Sequence, residues 1–324
     1  MNRRDLGRAW GAWGKKSLTV ACALATALLA SCGGGGSSVN PFYPDHIIAF
    51  GDESSVINSD GSKYTINALN TSNQLDCASN PIWVQYLAAN FGIVFSQCNP
   101  NADPNPKGVM FAKVGAKVAD VVSQVQQYQA GNSIGSKDLF TILVGQNDIL
   151  SAFLLYGAQS ETDLIAAVEA QGVALGQLIN SIATAGGKVI VVTVPDMGLT
   201  PYAIVQESRN PGSAAVLSHL TDRFNVAMRT TIINDGSMIG LVLGDELTQS
   251  IAQFPQNFGY TNVTLAACSV ALPACTTSTL ITDPSNGNPA TGTTFLWASD
   301  RVLGPGAQLR IGQSAVLRAR NNPF

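Results

Sequence analysis

Histidine is nearly absent from this chain, with only His46 and His219 in 324 residues. Neither lies near a cysteine and no C-x-x-C occurs, so the spacing of a zinc site is missing and no metal is expected. Charge is scarce too: 12% of residues are charged against 46% hydrophobic, which excludes a disordered chain and assures a sizeable core. A basic surplus is lacking beyond the first segment. Residues 1–31 hold Arg3, Arg4, Arg8, Lys15 and Lys16 against Asp5, leaving 13 basic and 20 acidic residues after them, net −7. A mildly acidic body has no footprint for nucleic acid. The apolar run "SLTVACALATALLA", 14 residues, is too short to span a bilayer comfortably. The glycine run at 33–36 has no strand before it and no G-K-[ST] after it, so it is no phosphate loop, and no organic cofactor is expected.

What is present begins with the layout of a secretory signal: a basic segment to Lys16, the apolar run, then "SCGGGGSS". The end of that run, "LLASC", resembles the bacterial lipobox. This implies a signal peptide over 1–31, lipidation of Cys32, and a glycine/serine tether over 32–40. Residue 33 is glycine rather than aspartate, which for such lipoproteins implies the outer membrane. The expected partner on this reading is a membrane, reached through the lipid anchor. Cys22 falls in the removed segment, so Cys77, Cys98, Cys268 and Cys275 remain in a compartment that favours disulfides. Of three connectivities, Cys77 to Cys98 and Cys268 to Cys275 is expected, because each pair closes a short loop within one polar, turn-rich segment.

From residue 41 onward one domain is expected. Apolar β-rich runs alternate with helical ones, the pattern of a parallel sheet covered on both faces. Strands are expected at "HIIAFGD", "GIVFSQ" (92–97), "DLFTILVGQND" (138–148), "KVIVVTVPDMG" (188–198) and "MIGLVLGDEL" (238–247). Helical spacing marks 81–92, 118–130, 162–185, 213–232 and the C-terminal segment. This predicts a three-layer α/β/α sandwich around a five-stranded, mainly parallel sheet. In such sheets ligands bind beyond the strands' C-terminal ends, where Asp52 to Ser55, Gln146 to Asp148, and Asp196 cluster.

The clusters, in this order, resemble the GDSL or SGNH family of ester hydrolases. "FGDESSV" stands where the family has F-G-D-S-L-S-D. "MFAKVGAKVADVVSQVQQY" is similar to its second block, "GQND" to G-x-N-D, and "SDRVLGP" (299–305) to D-x-x-H. "VPDMGLTP" and "FGYTNVT" look like further signatures of the branch with autotransporter esterases and plant GDSL lipases. The resemblance implies a flavodoxin-like fold and an oxyanion hole formed by the Gly115 N–H and the Asn147 side chain. It also implies a nucleophile at position 53, next to Asp52, and an Asp–His pair at 300 and 303. Two of these are missing, because Glu53 replaces the serine and Leu303 the histidine, while Asp300 remains.

Family chemistry needs a serine to attack the acyl carbon and a histidine to take its proton. Ser54 and Ser55 stand one and two residues along, but misplacing a nucleophile by about 1 Å can reduce the rate on the order of 100-fold. His46 begins the first strand, roughly 20 Å from the active end, and His219 lies on a helix. The expectation is an envelope protein inactive as a serine esterase that binds a small-molecule ester or glycan ligand or a partner. The alternative is an ester hydrolase using Ser54 or Ser55, or carboxylate chemistry through Glu53 with Asp52 or Asp300. Glu53 is expected either to point at Gly115 and Asn147, with Lys113 and Lys117 neutralising it, or to turn outward beside solvated lysines.

Overall fold

The computed structural model describes residues 41–321 and 324. The expected signal peptide, Cys32 and the tether lie outside the described residues. Five strands form the central sheet: β1 (His46–Gly51), β4 (Gly108–Met110), β5 (Asp138–Leu143), β6 (Lys188–Val192) and β7 (Ile239–Val242). Their order is β4-β1-β5-β6-β7, and every neighbouring pair is parallel. Two small ribbons stand apart from it, β2 (Ala68–Leu69) with β3 (Leu75–Asp76), and β8 (Asn262–Ala266) with β9 (Phe295–Trp297).

Strand side chains alternate between faces, and both faces are apolar, as a sheet covered on two sides requires. Ile48, Phe50, Phe140, Ile142, Val189 and Val191 share one core with α2 (Val118–Gln129), α4 (Glu161–Thr184) and α6 (Ser213–Thr231). Ile47, Ala49, Leu139, Ile190 and Val192 share the other with α1 (Trp83–Ala89) and α8 (Pro305–Asn321). This is the α/β/α sandwich read from the sequence, and Pro41–Phe324 pack as one unit.

Three short helices follow strand ends where the sequence spacing marks none: α3 (Gln146–Phe153), α5 (Pro201–Arg209) and α7 (Gly244–Gln253). One expected strand is replaced. "GIVFSQ" forms only isolated bridges, Phe95 to Cys98 and Phe95 to Gly108, and the edge strand is "GVM" at 108–110. The physical reason is a turn that ends the segment early. Just past Phe95 the chain turns, the Cys98 N–H donating to the Phe95 carbonyl at 3.0 Å, and Cys98 is tied to Cys77 by a disulfide. The segment thus meets only the first residue of β4, whose Gly108 N–H donates to the Val94 carbonyl at 2.9 Å. The second disulfide is Cys268–Cys275, so both expected pairings are present.

Candidate functional site at the C-terminal ends of the strands

The strand-ending glycine sets the site. Gly51 has φ +133, and a Cβ there would lie 2.2 Å from the Leu143 carbonyl oxygen, so only glycine fits. Its N–H donates to Gln124 Oε1 at 2.9 Å and its carbonyl accepts from Gln124 Nε2 at 3.1 Å. Gln124, on α2 and almost fully buried, thus acts as a side-chain strand partner at the end of β1. Asp52 then donates its N–H to Leu143, accepts the Ser54 N–H on Oδ1 at 2.9 Å, and caps the 3-10 turn Glu53–Ser55.

That turn aims Glu53 inward, 7% exposed. One oxygen, Oε2, accepts from the Gly115 N–H at 2.9 Å and from Asn147 Nδ2 at 3.1 Å. Gly115 stands at φ +74 in the loop between β4 and α2, and Asn147 in the first turn of α3. The same amide nitrogen also donates to the Ala116 carbonyl at 3.2 Å, which fixes its orientation. Of the two arrangements expected for Glu53, the inward one is present. Its expected neutralisation is not: Lys113 and Lys117 are exposed, and among the described residues neither pairs with Glu53.

The surroundings are rich in carboxylates. Asp52 is fully buried, and burial first, then the adjacent Glu53, hold its carboxyl well above the usual range. Burial pushes Asp148 up to about 6, although its Oδ2 accepts the Val118 N–H at the start of α2. Asp148 thus ties the helix bearing Gln124 to the turn bearing Asn147.

Of the neighbouring serines, Ser55 has its hydroxyl engaged and Ser54 only its backbone N–H. Ser55 is completely buried and its Oγ accepts from Trp83 Nε1 at 3.1 Å, while half-buried Ser54 uses its N–H on Asp52. At the other end of the site Leu303 is 4% exposed, packed in the α1/α8 core, with its carbonyl accepting from Thr65 Oγ1 at 3.1 Å. Asp300 faces outward: its side chain is 54% exposed, lies 3.4 Å from Arg301 Nε and accepts from Ser299 Oγ at 3.3 Å. Position 303 is apolar core, and the carboxylate that would orient a histidine lies at the surface. Both histidines are elsewhere, His46 bonded to Asp138 at 3.1 Å at the opposite sheet edge and His219 to Glu161 at 2.7 Å.

Sequence reasoning missed Gln124 and the Ser55–Trp83 bond. A signal for the first was there, since Gln124 interrupts the apolar stripe Val118, Val121, Val125, Tyr128 on the buried face of α2. The Ser55–Trp83 bond left no trace in spacing. Asp196, singled out at the third strand end, is an interior cap, accepting from the Gly198 N–H, Ser218 Oγ and Gln249 Nε2.

Residues 47–269 match the model of the GDSL-like lipase/acylhydrolase family. That span holds Glu53, Gly115 and Asn147 but ends before Asp300 and Leu303. Among solved structures, phospholipase A1 from Streptomyces albidoflavus NA297 is 16% identical (86% of this chain, 99% of that one, TM-score 0.40). LAE5, an α/β hydrolase enzyme from the metagenome of Lake Arreo, Spain, is 15% identical (87% and 98%, TM-score 0.43). A lipolytic G-D-S-L family protein from Veillonella parvula DSM 2008 is 11% identical (85% and 95%, TM-score 0.37). No curated protein matches the chain. The family model covers well over half of the sequence, and by that match the chain belongs to the GDSL-like lipase/acylhydrolase family.

Proposed function

We propose that this protein is a lipid-anchored member of the family, held in the bacterial envelope through Cys32, that has lost serine-esterase chemistry and acts by binding. One observation carries the loss of activity: a single oxygen of Glu53 receives both the Gly115 N–H and the Asn147 amide. In the active family those donors serve the oxyanion of a tetrahedral intermediate, which forms only when a serine attacks. Here the chain's own carboxylate takes both bonds from the position where the nucleophile belongs. No base stands ready either, because Leu303 is core and both histidines are bonded to carboxylates elsewhere.

The reading that keeps catalysis has less support. Ser55 is an interior hydrogen-bond acceptor, and a base for Ser54 is not in place. Carboxylate chemistry through Glu53 would need a partner, yet Asp52 is sealed inside and Asp300 turns to solvent.

Purified protein is expected to leave p-nitrophenyl esters unhydrolysed and to take no fluorophosphonate label on Ser54 or Ser55. Hydrolysis that disappears in Asn147→Ala would refute the reading. Lipidation is a separate measurement: the mature protein should begin at Cys32 and carry acyl chains by mass, and Cys32→Ala should release it from membranes.

A further inference from the structure

A fully parallel sheet has two unlike edges, and in this chain their charges differ. The C-terminal edge holds the family site together with Asp52, Glu53, Asp148, Asp196, Asp245 and Glu246. The N-terminal edge is where the basic residues gather. Lys107 and Lys137 directly precede β4 and β5, both are exposed, and their carbonyls accept from the Ile47 and Asp45 N–H groups, so they flank the start of β1. Lys188 opens β6 with its ammonium over the Phe324 ring at 5.9 Å.

The last turn of α8 ends on the same edge and adds two arginines. Arg318 lies against Gly240 near the start of β7, and Arg320 donates to the Asn90 carbonyl at the end of α1. Five basic side chains thus stand there against Asp45, Asp103, Asp138 and Asp235, of which Asp138 is buried. The remaining eight basic residues of the body face sixteen acidic ones. Two large apolar side chains are exposed among the edge cations, Tyr43 at 63% and Leu317 at 59%.

The chain also enters the fold at this edge. Phe42 packs edge-on against Phe324 at 5.6 Å, beside Lys188, so the described chain runs into β1 from this edge.

We propose that the N-terminal edge of the sheet is a membrane-facing surface for anionic lipid, on which Lys107, Lys137, Arg318 and Arg320 meet headgroups and Tyr43 and Leu317 reach the interface. A negative surface attracts nearby cations and repels the acidic pole, so a body of net negative charge still docks in one orientation. Exposed aromatic side chains are suited to the headgroup level. The family site then faces away from the bilayer. The proposal concerns the same membrane as the proposed anchor, but it needs no lipid on Cys32.

The test is co-sedimentation of residues 41–324, the packed unit that holds both cores, with vesicles of phosphatidylcholine alone or with a third phosphatidylglycerol. Binding is expected only to the anionic vesicles and should weaken as salt rises. At about 1 kcal/mol per surface cation, reversing Lys107, Lys137 and Arg318 to glutamate should weaken it by a factor of ten or more. The control Lys113→Glu with Lys117→Glu, at the other edge, should bind as the parent does, and circular dichroism checks that both variants are folded. No binding to anionic vesicles, equal binding to neutral ones, or equal loss in both variants overturns the proposal. A protein whose Cys32 is unmodified but whose body still binds would sink the anchor and leave this surface standing.

Discussion

Glu53 and Asp148 respond to different changes, and each can be tested at the level of the single residue. Replacing Glu53 by serine and Leu303 by histidine restores the residue types of the family, and the Gly115 and Asn147 donors are already aimed. That double variant is nonetheless expected to gain little on p-nitrophenyl acetate, because position 303 is 4% exposed core and Asp300, which would orient the histidine, turns to solvent. A gain of roughly 100-fold, the scale of one general base, would mean that the segment around 300–303 rearranges to complete the site. Asp148 governs stability instead. Its folded pKa, raised from 3.8 to about 6, means that the folded state holds a proton over that interval when the unfolded state has lost it. Stability should therefore be highest below about pH 4 as far as this group is concerned, and fall as pH rises through 6; buried Asp52 acts in the same direction. Asp148→Asn keeps an acceptor for the Val118 N–H and removes the buried charge. It should flatten the melting temperature between pH 4 and 6 and add on the order of 2 kcal/mol at pH 7.

Among elements, the junction of β1 with α2 is where the site is held. Gln124→Ala would leave the Gly51 N–H without this partner in a buried place, while the Gly51 carbonyl keeps the Lys113 N–H at 3.0 Å, and roughly 1–2 kcal/mol of stability should be lost on urea denaturation. How much of this was legible in the sequence varied with element length. The long strands and helices could be read because burial on one or two faces imposes a period on six or more residues. β4 could not, for three residues show no period, and the apolar run "GIVFSQ" nearby was the stronger decoy. The starts of α3 and α7 leave no mark because Gly145 and Leu243 give no side-chain cap, so the strand pattern runs on into "GQND" and "GDEL". In the site, the donors and the missing residues were visible as departures from a motif. The outward turn of Asp300 depends on packing around Arg301 and Tyr202, which no spacing records.

For the molecule as a whole, the charge asymmetry and the chain's point of entry share one axis, and vesicle binding reads both together. The same axis shapes how the chain is assembled. β1 is the first strand in sequence and lies inside the sheet, yet its partner β5 comes 92 residues later, at Asp138 opposite His46. Contacts so distant close slowly, because the intervening loop must be ordered before the pairing rewards it. Until β4 arrives at Gly108–Met110, "IIAF" is an apolar segment with both edges open, and until β5 arrives one edge stays open, the kind of species that associates with other chains. A nascent or exported chain should thus depend on a holding chaperone through about the first 140 residues and become self-sufficient once Asp138–Leu143 can pair.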